Sequence, residues 1–428
     1  MTVKMIKFMK IKLLMAFLSL IFILSCVEEF KIEIKNDQDY SLVIEGRITN
    51  KPGPYIVKLS TSTSLAFPEF VPLTEAIVQI ADNEGNSETL TEVEPGIYKT
   101  SESGIRGIIG RSYKIMIQTK TGNQYESEFE ELLAPVGIES VTAKSETQFA
   151  QNADTDYEEG FQFYVSTETS VNPSNFYYWE LEETYEIRSE WEIVLIYNGH
   201  QYGNDYGDIR NFRSPSSRDT LFYCWNTQMR DKKFTNNTTH FSTPKINNSP
   251  LSFVSFTDEK LKYKYSLLVN QLTISEDTYT YLNALFDQDA SQEGLYSNQP
   301  YHIQGNVISK TKPEESVLGY FIVAGMQNGK RLTVVLPPQT KKWKSPCNVD
   351  ALFGEETPEG AFPANSYSFS FSDIDRGYYR RPEDWPIYIT SIPVPNTERD
   401  SIIVMPLQSC LDCTKRSGVT NKPDYWDQ

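Results

Sequence analysis

The chain is short of positive charge, of histidine and of cysteine, and each shortage closes off a class of function. Its 428 residues include 40 Lys and Arg against 57 Asp and Glu, a formal net charge of −17. Phosphate backbones require a field of the opposite sign, so nucleic acid is excluded as a partner. The three histidines, His200, His240 and His302, flank no cysteine, and a zinc ribbon needs a second close pair of ligands. The apolar run Leu13 to Leu24, broken by Ser19, is too short to span a bilayer as a helix, which takes about 20 residues.

That run does fit an export signal. Lys4, Lys7, Lys10 and Lys12 precede it with no acid among them, and Ile23-Leu24-Ser25-Cys26 closes it. A basic end, an apolar segment of roughly 7–15 residues and a small residue at the cut are the parts of a secretory leader. With cysteine at the cut, the sequence reads as a bacterial lipobox. Residues 1–25 are the expected lipoprotein signal peptide, and Cys26 the expected lipidation site and new N-terminus. Loss of the leader would leave 36 of the 40 basic residues against 57 acidic ones, a net charge of −21. Several acyl chains, rather than electrostatic attraction, would then hold the protein to lipid. Residues 26–38 read as a lipidated tether. Within it, Val27-Glu28-Glu29-Phe30-Lys31 resembles the acidic signal that sends lipoproteins of Bacteroidota to the cell surface, so the expected location is the outer membrane, facing outward.

Once Cys26 is lipidated, Cys224, Cys347, Cys410 and Cys413 remain. An even number in an exported chain predicts two disulfides, in one of three pairings. The spacing Cys410-Leu-Asp-Cys413 would also suit half a metal site or a redox pair. No second ligand pair supports the first, and no thioredoxin-like unit precedes Cys410 to support the second. No metal or cofactor is expected.

The rest of the composition points to β structure. There are 26 Tyr, 23 Phe and 6 Trp, together with many Thr residues and Gly/Pro/Asn turns. From Tyr40 onward, Leu42, Ile44, Gly46 and Ile48 share one side of an extended segment. Further strands are predicted over 55–60, 76–81, 96–100, 113–119 and 124–129. Turn chemistry separates them at Lys51-Pro-Gly-Pro54, Asp82-Asn-Glu-Gly85, Glu94-Pro-Gly96 and Thr121-Gly-Asn123. The expected architecture is mainly β: an N-terminal immunoglobulin-like β-sandwich over residues 39–134, then a larger β-rich domain over 135–428 with one short helix.

In the larger part, Tyr177, Trp179, Leu181, Tyr185 and Ile187 fall on one face of an extended run. Glu180, Glu182 and Glu186 are expected to face water on the other. A glycosidase needs two carboxylates across a cleft, one with a raised pKa. A solvated row does not supply that, so no catalytic residue is assigned and the protein is expected not to be an enzyme. Leu261, Tyr263, Tyr265, Leu267 and Val269 alternate in a further strand. Ser275 is placed to cap a helix over Glu276 to Asp287, with Glu276 and Asp277 at its positive end.

Residues 198–250, rich in Asn, Asp, Gly, Ser and Arg, read as long surface loops around Leu221-Phe-Tyr-Cys-Trp225 and as one candidate contact surface. Asn236-Asn-Thr-Thr239 lies in this stretch. Asn152 to Gly160 and Asp373 to Gly377 carry alternate oxygen side chains but lack the calcium-loop pattern. Thr220 and Ser401, each after Asp and before an apolar residue, are candidate O-glycosylation sites.

Gln299-Pro300, Ile303-Gln-Gly305-Asn306-Val307-Ile308 and Val317-Leu-Gly319-Tyr320-Phe321 carry a family resemblance. Leu42-Val-Ile-Glu-Gly46, Cys224-Trp225, Cys410-Leu-Asp-Cys413-Thr414 and Lys422-Pro-Asp-Tyr-Trp426 agree with it. Over nearly the whole mature chain the sequence is similar to a Bacteroidota surface-lipoprotein family named only as domain of unknown function 4249. That resemblance implies an outer-membrane lipoprotein often encoded beside a TonB-dependent receptor, and no catalytic residues. On physical grounds Gly305-Asn306 and Gly319 are bulge or turn positions, where positive φ is inexpensive. The terminal aromatics Tyr425 and Trp426 either dock on the chain itself or serve as a partner contact. The function expected is a non-enzymatic accessory or ligand-capture subunit of a TonB-dependent receptor or another outer-membrane β-barrel. The alternative is a free-standing surface protein for glycan binding or adhesion.

Overall fold

A computed structural model describes residues 41–62, 71–149, 157–173, 175–197, 212–216, 221–292, 303–337, 347, 366–368, 387–393, 401–406 and 408–427. Cys26, Thr220 and the two oxygen-rich segments at 152–156 and 373–377 lie outside them. Ser401 is described only as a position in the strand Ser401–Pro406. The fold is mainly β, with four sheets among the described residues and one α-helix.

The period-two patterns become a β-sandwich. Leu42, Ile44 and Ile48 of the strand Leu42–Thr49 pack with Val57 and Leu59 of Ile56–Thr61 on one side. Val78 and Ile80 of Ile77–Asp82, Ile115 and Ile117 of Ser112–Gln118, and Tyr125 of Gln124–Ser127 close the other. Gly85, Gly96 and Gly122 take positive φ in the connecting turns, as the turn sequences predict.

Two segments from far along the chain complete this core. The strand Val307–Ser309 pairs antiparallel with Gln124–Ser127, and Leu318–Met326 pairs parallel with Leu42–Thr49. Val307, Val317, Phe321 and Val323 are buried in the same cluster. Parallel neighbours cannot be joined by a hairpin, so this pairing has no local signal. The family motifs are its fittings. Gly319 lies at the expected positive φ, +84°, against the Ile44 carbonyl, but within a ladder of unbroken register rather than at a bulge. Gly305 and Asn306 need no positive φ. A Cβ on Gly305 would lie 1.8 Å from the Gly319 carbonyl oxygen. The Asn306 side chain replaces a strand partner, accepting from Phe321 N–H at 2.9 Å and donating to its carbonyl at 2.8 Å.

The same sheet continues through Lys264–Ile274 and Phe176–Arg188 to Tyr223–Met229. Both central strands are buried on two faces. Tyr177, Trp179, Leu181, Tyr265, Leu267 and Val269 meet a three-stranded sheet of Ile138–Phe149, Tyr157–Thr167 and Ser249–Ser255. On the opposite face Tyr178, Leu272 and Ile274 pack against Leu282 of the helix Glu276–Gln292. The Thr278 N–H donates to Ser275 Oγ at 3.1 Å, the predicted cap. Glu130 adds a carboxylate at this helix end, accepting from Ser275 Oγ and Thr278 Oγ1. Burial raises its pKa, and those two bonds oppose the rise.

Two-sided burial corrects the expected row of solvated glutamates. Glu180 pairs with Arg47 at 2.7 Å, Glu182 with Arg331 at 2.8 Å and Glu186 with Arg188 at 2.5 Å. Glu186 is itself buried. Arg47 and Arg331 come from two other strands of the sheet and Arg188 from the strand itself, so the pairing was invisible in the alternation.

Candidate functional site

Between the strands Phe234–Asn237 and Ser249–Ser255, Asn, Thr, Ser, His and Pro make up eight of the eleven residues, the others being Phe241, Lys245 and Ile246. Such side chains compete with secondary structure for the backbone, and they organise a loop through local hydrogen bonds. Thr238 Oγ1 accepts from Asn175 N–H at 3.0 Å, and Phe241 N–H donates to the Thr238 carbonyl at 3.0 Å. Asn237 Oδ1 accepts from Thr239 N–H at 3.1 Å. Ile246 is the apolar pin, 2% exposed, and both its N–H and its carbonyl bond to Thr167 at 3.0 Å. Asn248 takes a left-handed φ of +50°, which Asn tolerates better than most residues, and donates its N–H to Ser166 Oγ.

This anchored loop lines an open, shallow cleft of about 620 Å³. Asn236, Asn247 and Asn248 supply amides to its lining, Ser242, Thr243 and Ser249 supply hydroxyls, and His240 and Phe241 supply rings. The Asn236 amide is braced by Ser249 Oγ at 3.1 Å. The side chains of Asn247 and Asn248 are exposed, free to meet a ligand. Phe241 keeps half of its surface in solvent. Lys245 on the rim is held by Glu139 at 2.7 Å. The cleft therefore offers donors and acceptors, one exposed ring face and little free charge. That combination suits a neutral, hydroxyl-rich ligand, and the volume lies inside the range of roughly 300–1,000 Å³ usual for small-molecule sites.

The loop composition was legible as a contact surface, but His240, Phe241, Asn247 and Asn248 were not singled out. No motif marks them. The usable signal was the density of amides and hydroxyls on either side of a lone Phe.

The cysteines form Cys224–Cys413 and Cys347–Cys410, so the close pair Cys410 and Cys413 is split between two bridges. Gly418 sits where a Cβ would be 2.5 Å from the Cys224 Cβ. Beyond it the tail docks on the chain's own sheet. Val419 and Trp225 exchange backbone hydrogen bonds of 2.8 Å. Tyr425 OH is 2.8 Å from Thr184 Oγ1, with the Arg331 guanidinium 3.7 Å from its ring centroid. Trp426 is 3% exposed, with its indole N–H on Glu186 at 3.4 Å and the Lys264 ammonium 5.0 Å from its ring. Tyr425 and Trp426 are thus engaged internally. A cation of the sheet faces each ring, and a carboxylate accepts from the Trp426 indole.

Fold and cleft together define a disulfide-stapled β-sheet protein with a preformed polar cleft on its surface. The chain belongs to the family described as Domain of unknown function (DUF4249), whose model matches residues 27–329. The matched part includes the cleft and the Gly305–Phe321 fittings, and stops before Cys347 and the docked tail. No curated protein matches the chain. Among solved structures, it is similar to a protein from Bacteroides uniformis described provisionally as carbohydrate-binding, at 8% identity and a TM-score of 0.13, over 55% of this chain and 90% of that one. It is also similar to a structure of carbohydrate-binding modules from the β-sandwich superfamily, at 10% identity and a TM-score of 0.13, over 49% of this chain and 94% of that one. Likenesses this faint establish neither fold nor ligand.

Proposed function

We propose that the protein is a non-enzymatic lipoprotein, anchored to the outer membrane through Cys26, that captures a neutral glycan in the cleft of residues 236–250. The observation that carries the reading is the lining itself: amides, hydroxyls and a half-exposed Phe241, with the rim cation already paired. Sugars present alternating hydroxyls and C–H faces, which match those groups in kind. The anchor rests on the basic, apolar and Ser25-Cys26 pattern of the leader.

Affinity electrophoresis through gels containing uncharged polysaccharides tests the ligand class. Retardation is expected, and Phe241→Ala should weaken it about threefold to tenfold, the value of one aromatic contact of roughly 0.5–1.5 kcal/mol. Unretarded migration in every uncharged polysaccharide would reject the reading.

We further propose that the captured glycan is handed to an outer-membrane β-barrel such as a TonB-dependent receptor. Purification of the tagged protein from mild detergent should then bring a barrel with it in stoichiometric amount. Recovery of the protein alone would leave a free-standing glycan-binding protein.

A further inference from the structure

The reading of the cleft as a glycan site leaves open which charge class of glycan it takes. Among the described residues lining the cleft, Lys245 is the one with a permanent charge. Its ammonium lies 2.8 Å from Glu139 Oε1 and 2.7 Å from Oε2, gripped by both carboxylate oxygens. Glu139 does not line the cleft. It stands in the strand Ile138–Phe149, with its own side chain 50% exposed against 21% for Lys245. A second cation is at the same place: Lys330 Nζ donates to the Glu139 backbone carbonyl at 2.7 Å. Without the Glu139 carboxylate, the Lys245 ammonium would stand without its counter-charge at an otherwise neutral cleft.

Resting on that reading of the cleft, we infer that Glu139 is a specificity-determining residue: by neutralising Lys245 it keeps the cleft selective for uncharged over anionic glycans. A polyanion approaching the native cleft meets a cation already paired with a carboxylate, on a mature chain with 36 basic against 57 acidic residues, a net charge of −21. It must displace Glu139 to gain the ammonium, and it gains no net attraction by doing so. An uncharged glycan needs only the amides, the hydroxyls and Phe241, and it leaves the pair in place.

Affinity electrophoresis with an uncharged β-glucan, an uncharged galactomannan and anionic polygalacturonate tests this on the purified protein, Glu139→Gln and the double variant Glu139→Gln/Lys245→Met. The wild type should be retarded by an uncharged polysaccharide and not by polygalacturonate. Glu139→Gln should raise the affinity for polygalacturonate about threefold to fivefold at low salt, the scale of one exposed ion pair. The gain should disappear in about 1 M salt, where the screening length falls to roughly 3 Å, and should be absent from the double variant. If the wild type binds an uncharged polysaccharide but Glu139→Gln shows no gain for polygalacturonate, the role of Glu139 is overturned and the cleft stands. A wild type that prefers polygalacturonate overturns the selectivity, and one that binds none of the three probes overturns the glycan reading together with it.

Discussion

Glu183→Ala is expected to lower stability by about 3–5 kcal/mol, the cost of leaving buried charge without its partner. Glu183 is 1% exposed in the central strand Phe176–Arg188. Oε1 accepts from Lys260 Nζ and from Gln228 Nε2, each at 2.6 Å. Oε2 accepts from Arg230 Nη1 at 2.8 Å and from Tyr265 OH at 2.9 Å. Alanine would strand a guanidinium and an ammonium at the edge of the core, since among the described residues Glu183 is the carboxylate that both of them pair with. Burial opposes ionisation of Glu183, but Arg230 and Lys260, with the Gln228 amide, outweigh it and hold the pKa below the ordinary 4.5.

The sign of the pH dependence follows. The folded pKa lies below the unfolded one, so the unfolded chain takes up the proton first. This contribution is complete above the ordinary value and is lost as pH falls through the folded pKa. Urea midpoints measured from pH 7 downward should fall more steeply below about pH 4.5 in the wild type than in Glu183→Gln, which cannot titrate. Parallel acid limbs, or a Glu183→Ala midpoint close to wild type, would show that Arg230 and Lys260 find water as readily as they found the carboxylate.

Glu183 also shows where sequence reasoning stops. Period two told which side chains share a face, and the sandwich strands expected from it lie within a residue or two; the Ser275 cap followed from the change to a helical period, and the helix runs on to Gln292 rather than ending at Asp287. The same alternation put Glu180, Glu182 and Glu186 in water, because a strand covered on both faces and a half-exposed one differ only in what lies opposite. Arg47, Arg230, Lys260 and Arg331 supply that difference from remote positions, and no local pattern links them to the strand. The cleft divides in the same way. Its amides and hydroxyls could be read from residues 198–250 as a surface, whereas the Ile246 pin, the support from Ser166 and Thr167, and the reach of Glu139 depend on which strands lie side by side. Register fixes faces; partners separated by 47 to 149 residues are chosen by packing.

The second large effect is expected at the parallel junction. Gly319→Ala should cost at least about 2–3 kcal/mol more than Gly85→Ala, although both glycines hold positive φ, +84° and +94°. The backbone strain of an L-residue in that region is common to both, about 1–2 kcal/mol. Their surroundings differ. A Cβ at Gly85 meets nothing within 4 Å, while one at Gly319 would lie 1.9 Å from the Ile44 carbonyl oxygen. That oxygen belongs to the strand Leu42–Thr49, so no rotamer change can relieve the overlap, and Gly305 and Asn306 block retreat on the other side. The parallel ladder itself must open. Through Lys264–Ile274 and Phe176–Arg188 that ladder continues to Phe234–Asn237, the strand from which the cleft loop departs. Thermal midpoints of the two variants give the difference, and equal midpoints would remove the junction from the list of structural necessities. Retention by an uncharged polysaccharide, measured below the Gly319→Ala midpoint, then decides whether the junction serves stability alone: unchanged affinity means that the loop's own hydrogen bonds shape the cleft, and weakened affinity means that the sheet beneath it does.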